Sequence, residues 1–153
     1  GPKEVEAWAA RGAARRRQRR WREAGKDLDR ALELDPKFLV ALTERGHLRR
    51  QRGNLAGARS DWEAALEDNP KNVTVLTHLG ELTSREGNHA AALELLDLAL
   101  ALDPSSVPAL VARAAARAGT GDKAGAQADA GEARAIDPAH PALKAGGTEC
   151  VIC

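Results

Sequence analysis

An all-α fold, a solenoid of stacked antiparallel helix pairs, is predicted by three features of this sequence. Asx-Pro pairs recur at Asp35-Pro36, Asn69-Pro70, Asp103-Pro104 and Asp137-Pro138, 34 residues apart each time, a period that belongs to helix-turn-helix repeats. Small residues stand at fixed offsets between these markers, where helix backbones must approach closely. Aromatic residues are scarce: three Trp and one Phe, with no Tyr and no Met. The core must therefore be Leu, Ala and Val, a composition that favours packed helices over sheet.

Each element follows from local chemistry. In each repeat a first helix of roughly 14 residues runs to a turn, which is Gly-Asn or Gly-Asp in three of the four, at Gly53-Asn54, Gly87-Asn88 and Gly121-Asp122. A second helix then runs to the Asx-Pro pair. Proline cannot continue that helix and suits the start of the next. One helix pair buries too little apolar surface alone, so neighbouring pairs must stack into a continuous core.

Position by position, the sequence resembles the tetratricopeptide repeat family. Aligning the prolines gives units 5–38, 39–72, 73–106 and 107–140, after a lead-in at 1–4 and before a tail at 141–153. The large residue at position four is Trp8, Leu42, Leu76 and Leu110; the small one at position eight is Gly12, Gly46, Gly80 and Ala114. Alanines at positions twenty and twenty-seven are Ala24, Ala58, Ala92 and Ala126, then Ala31, Ala65, Ala99 and Ala133. Position twenty-four reads Leu28, Trp62, Leu96 and Ala130, and the turn glycine is replaced by Arg19 in the first unit. The resemblance implies a right-handed superhelix with a concave groove lined by the first helices.

Two positions depart from the family. Position seven, usually apolar, carries Arg11, Arg45 and Arg113; position eleven, usually large, carries Arg15, Arg49, Thr83 and Arg117. Their stems are expected to cover apolar surface while their heads reach water. The fourth unit is rich in alanine, which contributes little buried area, so it is expected to be the weaker end. A fifth unit starts at Pro141 and fails at Gly146-Gly147, leaving a short helical turn near Ala142–Ala145. Gly1-Pro2 reads as a tag-cleavage remnant, and the chain as a fragment of something longer.

The implied groove carries Arg16 and Arg17 from unit one, Thr43, Glu44, His47 and Arg50 from unit two, Thr77, His78, Glu81 and Arg85 from unit three, and Val111 from unit four. This is a mixed-charge surface suited to an extended peptide or a helix, with arginines to receive carboxylates. Ala9, Ala13, Thr43 and His47 stand where one branch of the family clamps a terminal carboxylate with Lys and Asn, which argues against that clamp. Glu44 with His47, and His78 with Glu81, have residue types that bind zinc; a solvated polar patch is the preferred reading.

Unit one adds a basic patch of Arg11, Arg15, Arg19, Arg20 and Arg22. It holds ten basic and six acidic residues, whereas unit three holds one basic and five acidic. An acidic protein partner fits such a patch, and homo-association between unlike units is a second expectation. The net charge of only +1, and an arginine cluster with Trp21 as its one candidate aromatic, argue against nucleic acid. No apolar run approaches a membrane span and no signal peptide is visible, so a cytoplasmic or otherwise intracellular location is expected, the nucleus included.

Both cysteines lie in the closing Cys150-Val151-Ile152-Cys153. The pair reads as half of a truncated RING-like zinc site, as a prenylation box on Cys150, or as incidental. The terminal Cys and the absence of a polybasic signal disfavour lipidation. No Ser-His-acid set, phosphate-binding glycine loop or metal-spaced cluster occurs in the repeat body. The chain is therefore expected to be non-enzymatic, to need no cofactor and to bind protein, either as a peptide-binding module or as a self-associating scaffold segment.

Overall fold

The computed structural model describes residues 1–144. Among them are eight α-helices: α1 (Pro2–Arg17), α2 (Trp21–Leu34), α3 (Leu39–Gln51), α4 (Leu55–Asp68), α5 (Val73–Arg85), α6 (His89–Leu102), α7 (Val107–Gly119) and α8 (Lys123–Ile136). A single 3-10 turn follows at Pro141–Leu143, within the tail where a short helical turn is expected, and it buries Leu143. No strand occurs among the described residues.

The helices gather into two compact units, Gly1–Pro70 and a second opening at Lys71. In the first, α1 pairs with α2 and α3 with α4, and α3 packs on both α1 and α2. In the second, α5 pairs with α6 and α7 with α8, and α7 packs on α5 and α6.

Small residues set how closely each pair approaches. The alanines at positions twenty and twenty-seven are all buried. Gly12 lies against Leu28, Gly46 against Trp62 and Gly80 against Leu96, so closely that a Cβ would fall within 2.7 Å of side-chain carbons. Position eight is thus a socket for the large residue at position twenty-four. Unit four solves the same contact with Ala114 and Ala130, both buried.

Turn chemistry closes each pair. Gly53, Gly87 and Gly121 take φ of 80°, 89° and 85°, the left-handed region that glycine enters without steric cost. The next residue caps the second helix: Asn54, Asn88 and Asp122 accept from the amides of Gly57, Ala91 and Gly125. The first turn lacks both devices. Arg19 is forced to φ 61°, and Arg20 makes no side-chain cap. Restoring them with Arg19→Gly and Arg20→Asn is expected to stabilise the chain by about 1–2 kcal/mol, the left-handed penalty plus a missing cap. The exposed Arg20–Glu23 pair lost in exchange is worth little. Urea denaturation checks this, and an unchanged midpoint refutes it.

Candidate functional site

The residues expected to line a groove fall on the first helix of each pair. In the first compact unit, Arg16 of α1 and Glu44 of α3 meet across the helix gap, Nε to Oε2, at 2.7 Å. Both side chains are 15% exposed, so this pair braces two neighbouring first helices from a partly desolvated position. Arg16 also donates to Gln51 Oε1 at 3.4 Å. Arg17 beside it is exposed and makes no ion pair among the described residues.

Trp62 organises the rest of that surface from beneath. It is fully buried, and its indole N–H donates to the Thr43 carbonyl at 3.3 Å. His47 meets the ring edge-on, centroids 5.5 Å apart. The Arg50 guanidinium lies 5.6 Å from the ring centroid, a cation–π placement. Thr43, His47 and Arg50 are therefore fixed to one aromatic, which presents a cation above it.

In the second compact unit, His78 Nδ1 stands 3.8 Å from Glu81 Oε2 on the same helix. Arg85 is exposed at the end of α5, and Val111 is half-buried on α7. Thr77 corrects the sequence expectation: it is 2% exposed, and its hydroxyl donates to the Val73 carbonyl at 2.8 Å. A helical threonine can reach back to the carbonyl four residues earlier, so Thr77 offers nothing at the surface.

A second correction concerns the arginines at positions seven and eleven. Their heads do not simply reach water; they close on a buried aspartate of the following helix. Arg11 holds Asp27 through Nε and Nη2, both at 2.9 Å, and Arg15 adds a 2.7 Å bond. Arg45 clasps Asp61 at 3.1 and 2.8 Å, joined by Arg49 at 2.9 Å. Arg113 clasps Asp129 at 2.9 and 2.8 Å, joined by Arg117 at 2.9 Å. Arg45 and Arg113 also reach back one helix pair, to Asp29 at 2.8 Å and Asp97 at 3.0 Å.

The electrostatics follow from this packing. Burial pushes the Asp27 carboxyl up, but the hydrogen bonds and charges of Arg11 and Arg15 outweigh it and hold the group below the usual carboxylate range. The hydrogen bond to Asp129 leads the causes that raise Arg113 further above its already high range. Unit three lacks the whole arrangement: Leu79, Thr83 and Leu95 replace its Arg, Arg and Asp. The sequence does carry this signal, as an arginine and an aspartate sixteen residues apart that appear and vanish together.

The basic patch shrinks accordingly. Arg11 and Arg15 are bound to Asp27, and Arg20 pairs with Glu23 at 2.5 Å. Arg17, Arg19 and Arg22 remain exposed and free of ion pairs among the described residues. Cys150 and Cys153 lie outside the described residues. No described helix is long and apolar enough to cross a membrane.

Two family models described as tetratricopeptide repeat match this chain, one over residues 43–107 and one over 5–38. Among solved structures it is similar to pilF of Pseudomonas aeruginosa, at 17% identity and a TM-score of 0.84, over 93% of this chain and 65% of that one. It is also similar to PilW, described as a type IV pilus biogenesis factor, at 23% identity and TM-score 0.83, over 90% of this chain and 64% of that one. A third is MamA, at 17% identity and TM-score 0.78, over 90% of this chain and 75% of that one. The chain thus spans slightly less than two thirds of pilF and PilW. At these identities the likeness shows the fold. No curated protein matches.

Proposed function

Because this chain belongs to the tetratricopeptide repeat family, whose repeats form protein-interaction scaffolds, we propose that it is a non-enzymatic module that binds an acidic peptide or helix of a partner protein on its first-helix face. The observation that carries this reading is the surface of α1 and α3. There Arg17 is exposed without an ion-pair partner among the described residues, and Arg50 is held over Trp62. The Arg16–Glu44 bridge fixes the two helices between them. An uncompensated cation and one held on an aromatic, beside a braced gap, suit carboxylates on an extended or helical segment.

Fluorescence anisotropy with labelled peptides of matched length, acidic, neutral and basic, tests the reading. The acidic peptides are expected to bind best and to weaken with salt. Arg17→Glu alters an exposed side chain, so helicity should hold while affinity for the acidic peptide falls by at least about tenfold, the effect of a lost charge-assisted contact. Equal affinity for all three peptides, or no effect of Arg17→Glu, rejects it. Unit one is basic and unit three acidic, which favours self-association as a second reading. Its mark is a mass by light scattering that rises with concentration and falls with salt.

A further inference from the structure

A cavity of about 310 Å³ opens in the first compact unit between α2, the end of α3 and the turn into α4. Gly25 and Asp29 line it from α2, Arg45, Leu48 and Arg49 from α3, and Arg52 and Asn54 from the turn. None of these residues belongs to the first-helix surface described above.

Its charge is unbalanced. Arg45 divides its head between Asp29 and Asp61, and Arg49 shares Asp61 at 2.9 Å while donating to the Gly57 carbonyl at 3.3 Å. Arg52 is exposed, and its guanidinium makes no hydrogen bond or ion pair among the described residues. Three guanidinium groups thus meet two carboxylates, leaving one positive charge. The Asn54 carbonyl oxygen is occupied by the Gly57 N–H, which leaves its NH2 group able to donate.

The second compact unit supplies an internal comparison, 68 residues on. It repeats Asp29, Arg45 and Arg49 as Asp97, Arg113 and Arg117. It replaces Gly25 with Leu93, Leu48 with Ala116 and Arg52 with Thr120. There Leu93 packs on Ala92, Leu96, Ala112 and Ala116. The bonds of the first arginine to its two aspartates are common to both units, and the second adds Asp122 in place of Asn54, 3.9 Å from Arg117; the bare glycine wall and the third arginine occur only in the first. They are not needed to build the fold.

From this we infer that the cavity is a receptor for one carboxylate side chain of a partner, a glutamate whose carboxylate pairs with Arg52 and Arg49. One negative charge neutralises the excess, whereas a dianionic phosphate would reverse it. Leu48 and the uncovered Gly25 backbone give the methylene stem an apolar wall. The volume lies at the low end of ligand pockets, which run from about 300 to 1,000 Å³, and suits a single side chain.

The test is a titration of the protein with butyrate, a singly charged match for the glutamate side chain, reading the arginine Nε–H resonances by NMR, with inorganic phosphate and sodium chloride as parallel arms at matched ionic strength. Butyrate is expected to shift the Arg52 and Arg49 signals saturably. Arg52→Thr, which copies Thr120 at an exposed position, should weaken this by at least about tenfold as read at Arg49. Gly25→Leu with Leu48→Ala, which copies the Leu93–Ala116 pairing, should abolish it. Arg17→Glu should leave it intact, so this site and the first-helix surface can fail separately. Shifts that only follow ionic strength, or unchanged affinity in Arg52→Thr, overturn the site. Tighter binding of phosphate than of butyrate overturns the carboxylate assignment.

Discussion

Asp61→Ala is expected to destabilise the first compact unit by about 3 kcal/mol or more, within the range for breaking a buried ion pair by removing one partner. The Asp61 side chain is 3% exposed and accepts from both Arg45 and Arg49. Those arginines are only 21% and 32% exposed, so after the substitution neither can regain full hydration without leaving its packing. Asp29 still holds one end of Arg45, which places the effect toward the lower end of that range. Removing the whole network is a different experiment. Arg45→Leu, Arg49→Thr and Asp61→Leu together reproduce the Leu79, Thr83 and Leu95 that unit three already carries. The desolvation cost of three charges disappears with their attraction, so the triple variant should lie within about 1 kcal/mol of the parent. Urea denaturation followed by circular dichroism decides. A single variant near parental stability, or a triple variant as weak as the single, would show that the aspartate is not the keystone of this contact.

The sequence made the repeat legible because its constraints are steric and local. Only glycine fits opposite Trp62 or Leu96, and only a small residue fits at positions twenty and twenty-seven, so the period could be read without knowing how helices cross. The arginines at positions seven and eleven were illegible for the opposite reason. An arginine on a helix looks solvated, and whether it finds an aspartate sixteen residues later depends on how the two helices pack. Three of the four units repeat the arginine–aspartate spacing, so comparing units with one another could have exposed it. Thr77 shows a second limit. Register placed it on the first-helix face, but its hydroxyl turns back to Val73, a choice that side-chain spacing does not encode. The Arg16–Glu44 brace joins neighbouring first helices, and polar residues at those positions could equally have faced water.

Gly46→Ala is expected to reverse the sign of its effect according to what stands at position 62. In the parent chain, a Cβ at Gly46 would lie 2.7 Å from Trp62 Cδ1, closer than real contacts allow. Trp62 cannot easily yield: it is fully buried, tied to the Thr43 carbonyl, met edge-on by His47 and faced by Arg50. Overpacking of this kind costs about 1–3 kcal/mol, against about 1 kcal/mol gained from replacing a mid-helix glycine. The substitution therefore destabilises on balance. Trp62→Ala alone should cost about 3–5 kcal/mol, as for other large core truncations. With the indole gone, the new methyl group enters the vacated space and the helix gain stands unopposed. Gly46→Ala should then stabilise the Trp62→Ala background by about 1 kcal/mol. That double variant is the Ala114–Ala130 pairing that unit four uses, so the geometry tolerates it. A double-mutant cycle in urea measures the coupling directly. If Gly46→Ala had the same effect in both backgrounds, the socket between positions eight and twenty-four would not be what sets the spacing of α3 and α4.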